Sequence, residues 1–162
     1  MVKNLELDFF TEKVALPDRA IDIESIPWVP HSEGVWFKPL RFDLTTGNWV
    51  HLTKMSSGAM IRRHRHTGGP VFAYPLQGEW YYLERDWVAK PGTFVYEPPG
   101  DIHTLVVDKD KGEMITLFFL GGVIQYLDDN NNVTDQDDIF LRLKKYTDYC
   151  EANNIPIVNL KY

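Results

Sequence analysis

The sequence predicts an all-β domain, an antiparallel sandwich or barrel with an irregular N-terminal arm and one C-terminal helix. Three observations carry this reading. From Val35 to about Tyr126, short segments rich in aromatic and β-branched residues follow one another, punctuated by glycine at positions 47, 58, 78, 92, 100, 112 and 121. The first 33 residues have no such rhythm. Near the end, Ile139, Leu143, Tyr146 and Cys150 recur at helical spacing. At 162 residues the chain is one domain's worth and long enough to bury a core.

Each element has its own justification. Residues 1–33, with "ALPDRAIDIESIPWVPHSEG" rich in proline and acids, read as an arm with one short strand, packed on the main body or on a second subunit. Candidate strands then fall at 34–44, 48–55, 59–66, 70–76, 79–84, 86–90, 93–97, 102–108 and 113–127, forming a barrel over 34–130. The turn sequences "RD", "KPG", "PPGD" and "DKDKGE" separate several of them. Residues 131–162 supply a helix and tail covering an edge or face of the barrel. Thr134 with Asp137 three residues on resembles a capping box, and Asp135, Asp137 and Asp138 would sit in the first turn, where the helix dipole favours negative charge.

Composition excludes several function classes. The net charge of −6 and the shortness of the one basic cluster, Arg62 to His66, argue against nucleic-acid binding. The single cysteine, Cys150, rules out an intrachain disulfide framework and a thiolate-rich zinc site, and its place on the helix suits a small buried hydrophobe. No apolar run approaches membrane-spanning length and the N-terminus is not a signal peptide. A soluble, cytoplasmic protein is expected.

The chemistry concentrates in "GAMIRRHRHTGGP". His64 and His66 are two apart, so on a strand both imidazoles point to one face. The spacing Gly58-x5-His64-x-His66, followed by Gly78, and the spacing Gly92-x5-Pro98-x-Gly100-x2-His103 together resemble the two sequence motifs of the cupin superfamily. The resemblance spans Val35 to about Tyr126. It implies a double-stranded β-helix, a jelly-roll-like barrel, in which His64, His66 and His103 converge on one metal. It departs from the family pattern at Val71, where the first motif usually has glutamate, and at Val107, where the second usually has asparagine.

A narrower resemblance rests on the two-histidine strand running into "TG", on "LQGEWYYLERDWVA", "GTFVYEPPGDIHTL" and the ending "YCEANN". These are similar to the 2,4'-dihydroxyacetophenone dioxygenase group, with acetylacetone-cleaving dioxygenases as neighbours. The resemblance implies C–C bond cleavage of a hydroxyketone or 1,3-diketone, using non-haem Fe(II) and O2 as co-substrate, in a homodimer or larger. A weaker resemblance, to cupin domains of anti-sigma factors, implies a zinc-binding sensor without turnover. Three histidines do not identify the metal, because zinc binds such ligands more tightly than ferrous iron. The lack of cysteines near the motif weakens the redox-sensor version.

Around the histidines, Glu97 has the parity of Thr93 and Val95 and is expected to face inward as a fourth ligand or as a partner of a ligand imidazole. Glu84 is a candidate for the barrel mouth, and Arg62, sharing parity with His64 and His66, for holding an anionic substrate. The alternative for these three is a solvated carboxylate or a surface ion pair. Met60, Phe72, Tyr74, Trp80, Tyr82, Phe118 and Leu120 are candidate pocket walls, most of them simply core. His31 and His51 lack a motif and are expected outside the site.

Overall fold

Alternation of large apolar and polar residues, interrupted by glycine and proline turns, builds twelve strands and one α-helix in the computed structural model, which describes residues 18–162. After a 3-10 turn at Ile23–Ser25 come β1 (Val29–Ser32), β2 (Val35–Asp43), β3 (Asn48–Met55), β4 (Met60–Thr67), β5 (Val71–Gln77) and β6 (Trp80–Tyr82). β7 (Val88–Ala89), β8 (Val95–Glu97), β9 (Ile102–Val106), β10 (Met114–Gly121), β11 (Val123–Leu127) and β12 (Val133–Asp138) follow, and α1 (Ile139–Ala152) closes the list. The strands form two antiparallel six-stranded sheets, ordered β1-β2-β3-β10-β5-β8 and β12-β11-β4-β9-β6-β7. This is the jelly-roll barrel that the motifs imply. The core lies between the sheets and is dominated by Phe37, Phe42, Trp49, Met55, Trp80 and Met114, all buried.

Two expectations change in detail. Residues 113–127 are two strands, because Gly121 and Gly122 turn the chain from the first sheet into the second. Gly122 has φ +73°, and a Cβ there would collide with the Thr67 carbonyl oxygen. The second change is at the helix. Residues 133–138, read from sequence as its first turns, instead form β12 against β11, with Asp137 opposite Ile124 and Asp135 opposite Tyr126. Pairing satisfies the free edge of β11, which outweighs the local capping signal. The N-cap is therefore Asp138, whose carboxylate accepts from the Leu141 N–H at 2.8 Å.

The arm and the tail also join the sheets. β1 pairs with β2 at one edge. Beyond α1, the Leu160 carbonyl accepts from the Phe42 N–H at 2.7 Å, which ties the C-terminal tail to β2. The part of the arm at 1–17 lies outside the described residues. Cys150 is buried and free on the inner face of α1, as a small hydrophobe.

Candidate metal centre

β4 and β9 are neighbours in the second sheet, and their register sets His64 directly opposite His103. His66 lies two residues along β4 on the same face. All three imidazoles are buried, and one ring nitrogen from each lies within 4.8 Å of the others. The turn before β9 helps to fix this. Gly100, at φ +85°, donates its N–H to the His66 carbonyl at 2.7 Å, which ties the Pro98-Pro99-Gly100 turn to the histidine strand.

Hydrogen bonds aim the rings. A carbonyl only accepts, so the contact of 2.8 Å between His64 Nδ1 and the Arg62 carbonyl puts the proton on Nδ1 and leaves Nε2 with its lone pair. His103 Nδ1 lies 3.5 Å from Asp101, which Arg85 holds at 2.6 Å. The His103 ring stacks on Tyr82, centroids 4.0 Å apart and planes 15° apart. Burial pushes the His64 pKa down to about 3 and those of His66 and His103 below the usual histidine range. All three rings are therefore neutral ligands at neutral pH.

Glu97 comes from the other sheet, at the end of β8, and is 3 % exposed. Its Oε1 accepts from the Tyr82 hydroxyl. Its Oε2 lies 3.4 Å from both His66 Nε2 and His103 Nε2, and neither Oε2 nor His103 Nε2 has a hydrogen-bond partner among the described residues. Glu97 sits directly opposite Val71 in the β5–β8 ladder. Thus the carboxylate missing from the first motif arrives from the adjacent strand. Burial raises the Glu97 pKa to about 7, a penalty that a cation beside it would reverse. The residues fit a divalent metal. Lone pairs and an unpartnered carboxylate oxygen converge in a buried place, and 3.4 Å is about the spacing of neighbouring ligands whose bonds are roughly 2.0–2.2 Å.

The other candidates go elsewhere. Glu84 places its carboxylate on Thr104, at 2.8 Å from the backbone N and 2.9 Å from Oγ1, so it braces β9 and does not face the imidazoles. Arg62 points outward, to Thr134 at 2.9 Å and Asp135 at 3.1 Å, with its guanidinium over the Tyr126 ring. Its parity with His64 fails because the β4–β9 register shifts between Ile61 and His64. Ile61 takes the inward position instead. The same break leaves Met60 exposed, and on β5 it is Val71 and Ala73 that face in, leaving Phe72 and Tyr74 outside. Of the candidate wall residues, Tyr82, Phe118 and Leu120 line the cavity, and Trp80 packs behind Tyr82 and Phe118.

That cavity, counted with the space at its mouth that is open to solvent, holds about 480 Å³ of atom-free space. His64, His66, Glu97 and Tyr82 line it, and Phe37, Leu105, Phe118 and Ile124 contribute walls. The cavity also holds residues that the sequence motifs did not mark. The Tyr126 hydroxyl and His31 Nε2 are 3.0 Å apart, and the Arg142 guanidinium reaches the same Nε2 at 3.4 Å. His51 also lines the cavity and accepts from the Trp49 indole N–H at 3.0 Å. Two signals were available. His51 shares strand parity with Trp49 and Thr53, and Arg142 lies on the helical face of Ile139, Tyr146 and Cys150.

Residues 17–121 match the ChrR cupin-like domain. The chain belongs to this family. An RmlC-like cupin protein from Ralstonia eutropha JMP134 superposes with a TM-score of 0.85 at 32 % identity, over 91 % of this chain and 96 % of the other. An acetylacetone dioxygenase from Acinetobacter johnsonii gives 0.70 at 17 % identity, over 83 % and 93 % of the two chains. The Rhodobacter sphaeroides complex of SigE with the anti-sigma ChrR gives 0.51 at 19 %, over 61 % and 50 %. At those last two identities the likeness is one of fold. No curated protein matches the chain in sequence. No helix among the described residues is long and apolar enough to cross a membrane.

Proposed function

We propose that this cupin is an Fe(II)-dependent dioxygenase that cleaves a C–C bond of a 1,3-diketone or a hydroxyketone of the 2,4'-dihydroxyacetophenone kind. The observation that carries the reading is the shared cavity. His64, His66 and Glu97 line one mostly apolar cavity, and His103, directly opposite His64, completes the ligand set beside it. His64, His66 and His103 would hold the metal, with Glu97 either as a fourth ligand or as the group that orients two of the imidazoles.

When bound, the metal supplies Lewis acidity for an enolate-type chelate and a place for O2. The chain's own residues do the rest. Neutral imidazoles leave the positive charge uncompensated for an anionic ligand. Glu97, with Tyr82 donating to one of its oxygens, is placed to take a proton from an acidic C–H or O–H on the other and hand it on. Phe37, Phe118 and Leu120 hold the substrate's apolar part in place.

A second reading is a zinc-binding, non-catalytic cupin like an anti-sigma sensor, which the ChrR family match favours. The deciding experiment is anaerobic reconstitution with Fe(II), followed by O2 uptake with 1,3-diketones and 2-hydroxyketones. Stoichiometric uptake with fragment release supports the enzyme. Tight zinc binding without uptake for any substrate supports the sensor.

The proposal includes a homodimer. The outer face of β5, β8 and β10 exposes Phe72, Tyr74, Tyr96 and Phe119, with Phe94 stacked on Phe72 at 5.9 Å. A contiguous apolar face of this kind suits burial against a second copy.

A further inference from the structure

The cavity that His64 and His66 line also carries a buried cation that the chemistry above does not use. Arg142 reaches it from the first turns of α1, and its side chain is 5 % exposed. The guanidinium lies 2.7 Å from Asp137 and over the Phe37 ring at 4.9 Å. Lys145 is 3.6 Å from the same carboxylate. One carboxylate thus faces two cations. An arginine N–H only donates, so His31 Nε2 accepts from it and the His31 proton sits on Nδ1, towards Asp137 at 3.8 Å. Burial, reinforced by Arg142, pushes the His31 pKa down to about 2, so the ring stays neutral and adds no charge. The group as a whole retains a net positive charge.

It also retains unused hydrogen-bonding capacity. Arg142 Nε is buried and has no hydrogen-bond partner among the described residues, and neither do His31 Nδ1 or the two Asp137 oxygens, of which Oδ2 is ion-paired to the Arg142 Nη2. A buried guanidinium with a free donor is costly unless something accepts from it. Arg142 lines the same chamber as His64 and His66, and the rings between them are in sequence. His64 lies 5.9 Å from Tyr126, and Tyr126 lies 6.4 Å from His31, centroid to centroid. A ligand seated at the histidines therefore shares its chamber with Arg142.

We infer that Arg142, with His31 and Tyr126 beside it, is a specificity-determining seat for an ionised oxygen group on the substrate, remote from its chelating oxygens. This rests on the chamber being the substrate site, as proposed above. The physical reason for discrimination is asymmetric. A carboxylate or phenolate meets a donor that is already desolvated, whereas a methyl or phenyl end leaves that donor unpaired.

The test uses zinc-loaded protein, so that binding is read without turnover, and three matched probes. These are 1-phenylbutane-1,3-dione and its para-carboxy and para-hydroxy derivatives, followed by calorimetry at neutral pH. The expected result is that the para-carboxy probe binds roughly tenfold or more tightly than the unsubstituted one. Arg142→Met should reduce that ratio to about twofold or less, and Arg142→Lys should keep part of it. Preference for the para-hydroxy probe alone, lost in the same variants and growing as pH rises and ionises the phenol, also supports the seat and names a phenolate as its occupant. Should Arg142→Met not fold, the wild-type comparison and Arg142→Lys decide. Equal binding of all three probes by the wild type overturns the seat and leaves standing the reading of the chamber as the substrate site. Zinc binding with no probe bound overturns both.

Discussion

Glu97 is the residue on which the most chemistry turns, because it is buried in contact distance of two imidazoles and one hydroxyl. Its position shows how a ladder can move a functional group between strands. Val71 and Glu97 are cross-strand partners, so either position delivers a side chain to the same patch of interior. Glu97→Gln keeps size and hydrogen bonding but removes charge. If Glu97 ligates the metal or orients the imidazoles, metal affinity measured by competition with a chelator falls roughly ten- to a hundredfold. If it acts as a base, metal content survives and turnover falls by roughly two to four orders of magnitude. No change in either would make it a passive carboxylate. In the same assay, alanine at His64, His66 or His103 should strip the metal, whereas His51→Gln should leave most of it bound.

At the scale of elements, α1 and β12 illustrate competition between local and non-local preferences. The stretch from Thr134 to Asp138 carries helix-starting chemistry, yet it pairs as a strand and delays the helix to Ile139. Asp138 then caps it, and Asp137 turns inward to Arg142. Asp138→Ala should lower unfolding stability by about 1 kcal/mol in a denaturant titration. Thr134→Ala should cost less, since its hydroxyl serves no helix N–H. Equal costs at the two positions would contradict the cap assignment.

Taken as a whole molecule, the fold buries every one of its five histidines or most of each, and burial lowers all five pKa values. A lowered histidine pKa means that the unfolded chain binds protons more readily. The stability is fully present above the unfolded value of about 6.5 and is lost as pH falls towards the folded values, about 3 for His64. Glu97 works in the opposite sense, losing stability as pH rises from 4.5 towards about 7, but it is one group against five. Metal-free protein should therefore melt at a lower temperature at pH 5.5 than at pH 7.5. A flat profile would contradict the buried, neutral state of the rings. Assembly is the second prediction at this scale. Light scattering should give a dimer, and a charge at the centre of the apolar face, Phe72→Glu, should shift it to monomer without loss of metal. A wild-type monomer at working concentration would contradict the interface.

The sequence by itself determined the class of fold and the three histidines. Period-two alternation, the glycine and proline turns and the spacings around His64, His66 and His103 are local facts, and each constrains the chain within a few residues. Glu97's inward direction was legible for the same reason, as strand parity over Thr93, Val95 and Glu97. Parity failed where the ladder is irregular. The register shift between Ile61 and His64 turned Arg62 outward, and nothing within that stretch of residues marks it. Glu84 was decided by Thr104, twenty residues away in sequence, and β12 by the open edge of β11. Only tertiary packing could bring His31, Tyr126 and Arg142 together, since they come from an arm, a strand and a helix at distant points of the chain. Pairing of strand edges and burial of charge are satisfied between distant segments, so no local pattern records which partner each residue will find.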